Sequence, residues 1–285
     1  MIVAFTPGGS SDIQLRLVQK YWREVFPNNL IIVHRPGAGG EVGFRELARS
    51  APDGYTLGGV NTPHIYLQPM ARDTGFTPAS FAYICKMVDD PQVIAVHRDS
   101  PIRDVFDLIR QAQAAPGRLT VGNVGTFTGH HVTTLLLQHV TNTRFAIIPY
   151  IGAADQLAAI RGRHVDFIVS NLSDVTPHLA DLRVFGITTE TRHPLQPTWP
   201  TLKELGIPVV TSITRGVAAP AGIDPAILRF YREGFARLSA LTAYQADMAR
   251  VGQTYAYMPG EAYEAFIRES AVRGETILRR FGLIR

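Results

Sequence analysis

Four turns in this sequence share one chemistry: each follows an apolar, strand-like run, carries glycine, and opens directly into a helical pattern. The first is Thr6-Pro7-Gly8-Gly9-Ser10-Ser11, after Ile2-Val3-Ala4-Phe5 and before a helix expected over 12–25. The second is Arg35-Pro36-Gly37-Ala38-Gly39-Gly40, after Leu30-Ile31-Ile32-Val33 and before a helix over 42–48. A third, Gly122-Asn123-Val124-Gly125-Thr126-Phe127-Thr128-Gly129, leads into 130–139, and a fourth, Ile147-Ile148-Pro149-Tyr150-Ile151-Gly152, into 155–160. Glycine lets backbone approach a ligand closely, and the unpaired amides of a helix start favour negative charge. Several such turns converging on one cleft would hold carboxylates.

Other chemistries fit less well. In Gly37-Ala38-Gly39-Gly40-Glu41-Val42-Gly43 the last glycine falls one residue late for a dinucleotide fingerprint, and no Gly-Lys-Ser/Thr makes a P-loop. His130 and His131 project about 100° apart on a helix, and with His139 they have no metal-binding spacing, so neither metal nor cofactor is expected. His130, at a helix start, is a candidate ligand contact; His131 and His139 read as surface or packing residues. Ser10 and Ser11 lack a nucleophile-elbow context. At least one should cap the first helix, and Ser11 with Gln14 has capping-box spacing. Cys85, the one cysteine, lies in an apolar run and reads as a small buried hydrophobe. For Tyr150, site and core readings balance.

The elements that would position these turns follow from patterning. The 285 residues, 46% hydrophobic, suffice for two globular domains, and no run approaches the roughly 18 apolar residues of a membrane span. The net charge of +4 is dispersed through helices, which argues against a nucleic-acid partner. No signal peptide is legible, and Met1 stands directly against the first strand. Strands alternate with helices to about residue 190, which predicts an α/β fold with parallel sheets under helices. After an extended segment at 91–96, a boundary falls near 97; a second α/β block follows, with a short helix at 202–205. Gly216-Val217-Ala218-Ala219-Pro220-Ala221-Gly222 reads as a return to the first domain. Three helices, 225–238, 241–251 and 260–280, then complete the chain, the first begun by Asp224 and Pro225. The expected lobes are therefore 1–97 with 217–285, and 98–216. Two crossings allow them to close about a hinge on a ligand.

Taken together, the chain resembles the tripartite tricarboxylate transporter substrate-binding proteins, the TctC or Bug family of periplasmic solute receptors. The resemblance spans nearly the whole sequence. It is carried by Phe5-Thr6-Pro7-Gly8-Gly9-Ser10-Ser11-Asp12, the Arg35–Gly40 turn, Ala51-Pro52-Asp53-Gly54-Tyr55-Thr56-Leu57, Pro149-Tyr150-Ile151-Gly152 and Ala218-Ala219-Pro220-Ala221-Gly222. It implies a two-lobed type II periplasmic binding fold with an interlobe cleft and no catalysis. A monomeric periplasmic protein would capture a small organic acid, read here as a dicarboxylate, and present it to membrane permease subunits. By position, Phe5, Gly9, Ser10, Ser11 and Asp12 would form one pincer on a ligand carboxylate, Asp12 more as a helix-start residue than as an anion contact. Ala38 and Gly39 would form the other.

Gly125, Thr126, Thr128 and His130 occupy the turn that would receive the ligand's distal end, and Thr62 and His64 a further site-facing loop. Two departures from the family pattern stand out. Ser170-Asn171 replaces Asp-Asn, removing a carboxylate that could pair with a ligand amine, and Arg215 replaces an aromatic before Gly216. Both are expected to shift the pocket toward anions, with Arg215 either a hinge salt bridge or a bidentate clamp on the ligand. Two other classes compete: an α/β enzyme acting on carboxylates, and the effector-sensing domain of a transcription regulator.

Overall fold

In the computed structural model, which describes residues 1–284, the longest strand, β4 (Phe81–His97), belongs to two halves of one sheet. Its first part, Phe81 to Pro91, pairs antiparallel with β9 (Ser212–Pro220); from Gln92 onward it pairs with β7 (Phe167–Asn171) and β8 (Leu182–Ile187). Around the first half lie β1 (Ile2–Val3), α1 (Ser10–Tyr21), β2 (Val33–His34), α2 (Glu41–Arg49), β3 (Gly58–Thr62) and α3 (His64–Ala71). The second half adds α4 (Val105–Ala114), β5 (Thr120–Val124), α5 (Gly129–Thr141), β6 (Ala146–Tyr150), α6 (Ala153–Arg161) and the single turn α7 (Leu172–Val175). The chain then returns through β9 to α8 (Pro225–Ala240), α9 (Thr242–Arg250), β10 (Tyr255–Pro259) and α10 (Gly260–Arg280). The strand order is β2-β1-β3-β9-β4-β7-β5-β6, with β8 and β10 both on β4.

Each half is a sheet buried on both faces. In the first, Leu15 and Val18 of α1 and Trp22 just after it meet Phe235, Tyr244 and Met248 of α8 and α9 on one side; Phe44, Leu47, Ile65 and Tyr263 fill the other. In the second, Leu108, Val121, Phe167 and Leu202 pack one face and Leu157, Ile160, Ile168 and Leu172 the other. Cys85 is fully buried, as expected, and burial pushes its thiol well above the ordinary range. Asp224 caps α8 by accepting from the Ala226 and Ile227 amides, with Pro225 at the first helical position.

Four expectations need correction. The sheet is mixed rather than parallel: β1 pairs parallel with β2 and β3, and β5 with β6 and β7, but β9 runs antiparallel to β3 and β4. β10 stands between α9 and α10, where only helices were expected. Residues 202–205 form turns rather than a helix. Strand pairing puts the chain's two passages between the halves at Pro91–Gln92 and just before Ser212, not at 97 and 216.

Candidate functional site

The first turn does begin a helix, but neither serine caps it. The N-cap is Gly9, which has no side chain to offer, and Ser10 is already the first helical residue. The capping groups come from elsewhere. The Ser10 amide donates to Asp174 Oδ1 at 2.8 Å, and Ser10 Oγ to Asp174 Oδ2 at 3.1 Å, across 164 positions of sequence. A carboxylate suits that place because the first amides of a helix are unpaired and carry partial positive charge. Asp12 faces away from the cleft: it accepts from the Gly8 amide at 2.9 Å and Arg16 Nε at 2.9 Å and pairs with His34 Nε2 at 2.7 Å. Burial works to raise its pKa, but these partners outweigh it and hold the carboxyl below its ordinary range.

Behind Ser10 lies a buried ion pair. Arg215, on β9, is 1% exposed and Asp90, on β4, fully buried. Arg215 Nη1 donates to Asp90 Oδ2 at 2.6 Å and Nη2 to Ser10 Oγ at 2.6 Å, leaving Nε buried without a partner. The guanidinium fork is thus occupied by protein atoms; it is the hinge salt bridge, not a free bidentate clamp. Asp90 also accepts from the Ser173 amide at 3.2 Å and from Ser173 Oγ. Burial raises the pKa of Asp90, opposed first by the Arg215 charge and then reinforced by Asp174.

Neutral polar side chains complete the wall. His130 Nδ1 accepts from the Val124 amide at 3.3 Å, which places its proton on Nε2, toward Asn171 Oδ1 at 3.0 Å. Asn171 Nδ2 donates to Asp174 at 2.6 Å, and Asn61 Nδ2 to Ser11 Oγ at 3.1 Å. Burial lowers the pKa of His64 to about 3 and of His130 to about 4, so both are neutral at neutral pH. His64 Nδ1 is buried and unpaired.

Of the residues expected at the site, Phe5, Gly9, Ser10, Ser11, His64, His130, Asn171 and Arg215 line one cavity, together with Asn61, Val124, Ala153, Asp174 and Ile213. Its volume is about 20 Å³, room for about one water. The lobes are shut upon it. A Cβ on Gly152 would lie 2.0 Å from Thr6 Oγ1, one on Gly125 2.6 Å from Gly39 Cα, and one on Gly9 3.4 Å from the Ala153 Cβ. Ala38 and Gly39 stand at this rim with φ of 49° and 67°, held by Gln68 Nε2, which donates to the Gly39 carbonyl at 2.9 Å.

Thr128 stands at the same rim, its Cγ2 2.9 Å from where a Cβ on Gly39 would lie, and the other expected residues lie outside the cavity. Thr128 caps α5 through its side chain, and Thr126 beside it is exposed. Thr62 pairs with Thr214 at 2.6 Å and borders a larger cavity of about 660 Å³, walled by Tyr66, Val132, Val210, Phe266 and Ile277. Ser170 donates to Gln156 Oε1 inside the second lobe, and Tyr150 packs with the apolar cluster of that lobe.

Asp90 and Asp174 went unanticipated, and they correct the electrostatics. Two carboxylates, not none, stand beside the single guanidinium, so the site as it stands is not biased toward anions. Asp174 comes four residues after Ser170, beyond the end of β7 and inside α7. Among the described residues no cluster of three or more His, Cys, Asp or Glu could hold a metal ion, and no helix is long and apolar enough to cross a membrane.

Comparisons with known proteins bear on the family and the fold. The profile described as the tripartite tricarboxylate transporter family receptor matches residues 14–283. The "UPF0065 protein in gbd 5'region" of Cupriavidus necator is 31% identical over 99% of this chain and 87% of its own. Among solved structures, the periplasmic binding protein BugD superposes with a TM-score of 0.94 at 22% identity, covering 100% of this chain and 97% of its own. A protein of R. palustris described with adipate superposes with 0.93 at 24% identity, covering 99% and 96%. At those identities the structures establish a shared fold.

Proposed function

This chain belongs to the tripartite tricarboxylate transporter receptor family, whose members are solute receptors rather than enzymes, and we propose that it captures a small dicarboxylate in the periplasm and hands it to the permease subunits of such a transporter. One ligand carboxylate would sit at the start of α1, on the Ser10 amide and hydroxyl. The other would meet the turn before α5, where Gly125 and Phe127 adopt φ of 69° and 55° just ahead of a helix start. The lobes, hinged where β4 and β9 pass between the sheet halves, would close over the acid, the protein acting as a monomer.

The observation that carries this reading is that the start of α1 already holds a carboxylate, that of Asp174, with 2.8 and 3.1 Å hydrogen bonds. A place that satisfies one carboxylate with an amide and a hydroxyl has the chemistry to satisfy another. The adipate described with the R. palustris relative gives the class of acid to try first. Thermal unfolding against adipate, malate, succinate, acetate, neutral sugars and putrescine tests it. A selective ligand at one hundred times its dissociation constant stabilises the native state by about 2.7 kcal/mol. Adipate, malate or succinate should raise the transition while the sugars and putrescine leave it in place. A response confined to the sugars or to putrescine defeats the proposal.

A further inference from the structure

We propose that Asp174 is an internal competitor for the ligand: its carboxylate occupies the seat at the start of α1, keeps the empty cleft shut, and sets the affinity by having to be displaced. The inference rests on the reading of that seat as the ligand's own.

Asp174 and Ser10 belong to different lobes, since α7 follows β7 in the second sheet half and α1 follows β1 in the first. Asp174 is 5% exposed, and its carboxylate takes three donors: the Ser10 amide at 2.8 Å, Ser10 Oγ at 3.1 Å and Asn171 Nδ2 at 2.6 Å. Asn171 is on its own lobe, so that bond persists when the lobes part and keeps the carboxylate aimed at the seat. The two Ser10 bonds are the ones that closure makes. They continue into a ring across the hinge, from Ser10 Oγ to Arg215 Nη2, from Nη1 to Asp90, and from Asp90 to Ser173, the residue next to Asp174. With this ring closed the cavity is about 20 Å³, too small for any organic acid. A ligand therefore cannot add to this arrangement; its carboxylate must exchange with that of Asp174 on the Ser10 donors. The same exchange run backwards aids release, because the seat is refilled from within as the acid leaves.

The position of the charge is a feature of this chain's own sequence. Ser170 lies in β7 and Asp174 four residues later in α7, and only the second reaches the other lobe: Ser170 Oγ is bound to Gln156 at 2.9 Å.

The test uses Asp174→Asn and Asp174→Ser, with Ser10→Ala as the reciprocal variant, and two readouts. In small-angle scattering without ligand, wild type should have the same radius of gyration as with adipate, while the Asp174 variants should be larger without adipate and contract with it. In calorimetric titration with adipate, the Asp174 variants should bind about tenfold more tightly, the lower end for hydrogen bonds to a charged group. Ser10→Ala should also open the empty protein, but without the tenfold gain in adipate affinity, because the ligand loses the same donor that Asp174 does. Merely removing a negative charge could tighten adipate binding, but it gives no reason for the empty protein to open. Ligand-free Asp174 variants as compact as wild type overturn the proposal, and so does weaker adipate binding, which would make Asp174 a ligand contact. Opening of the empty variants with no binding of adipate or malate by any form leaves the latch standing and removes the dicarboxylate reading.

Discussion

Arg215 and Asp90 are withdrawn from water almost entirely, so the solvation each loses has to be replaced by the other and by Ser10 and Ser173. Breaking one member of such a pair leaves an uncompensated buried charge and typically costs about 3–5 kcal/mol. Arg215→Met should therefore destabilise the protein by about that much in urea unfolding, and adding Asp90→Leu to it should recover most of the loss. A single-variant cost under about 1 kcal/mol, the level of an exposed pair, would contradict the burial argument. His130 makes a second test. Its pKa is lowered by burial to about 4 from the ordinary 6.5, so the unfolded chain binds a proton there that the native state refuses. Unfolding free energy then falls as pH drops from about 6.5 to about 4, by at most about 1.4 kcal/mol per pH unit for this one group. His130→Gln should remove that contribution, flattening the wild-type slope in urea titrations over this window. Unchanged slopes would place the imidazole in contact with water. His64 and His131, lowered by burial as well, act with the same sign in both proteins.

The elements were unevenly legible. α10 begins and ends where the pattern put it, because it sets an amphipathic stripe behind a clear boundary at Pro259. β4 was divided in reading at Pro91, a residue that argues against a central strand, yet the strand passes through it. Pro91 falls where β4 leaves β9 for β7, as the last residue paired with β9. β10 is short, half-exposed and on the edge, and lacks the alternation that marks a strand. In the site, the glycine turns were legible because their conformation demands glycine, whereas Asp90 and Asp174 were not, since a carboxylate's role depends on partners far away in sequence. Gly39 shows the demand plainly: at φ 67°, a Cβ would also sit 2.9 Å from Thr128 Cγ2 and 3.1 Å from Gln68 Nε2. Gly39→Val should keep its circular dichroism spectrum but lose adipate binding at least tenfold, as the rim it shares with Gly125 is forced apart. Wild-type affinity in the folded variant would take this turn out of the site.

At the scale of the molecule, the two lobes meet over a nearly filled cleft, and small residues are what allow it. Gly152 has an ordinary extended backbone, φ −154°, so glycine is not needed there for conformation. It is needed because any side chain would strike Thr6 of the other lobe. Gly152→Leu should thus act as a wedge, enlarging the ligand-free radius of gyration in small-angle scattering while leaving each lobe folded; an unchanged radius would mean that the lobes do not meet there in solution. The central claim is that the start of α1 is the seat of the ligand's carboxylate. A crystal structure of the protein with adipate tests it most directly. The account predicts a carboxylate oxygen of adipate within hydrogen-bonding distance of the Ser10 amide and hydroxyl, with Asp174 displaced from both. Adipate bound in the larger cavity beside Tyr66 and Phe266, with Asp174 still on Ser10, would contradict it.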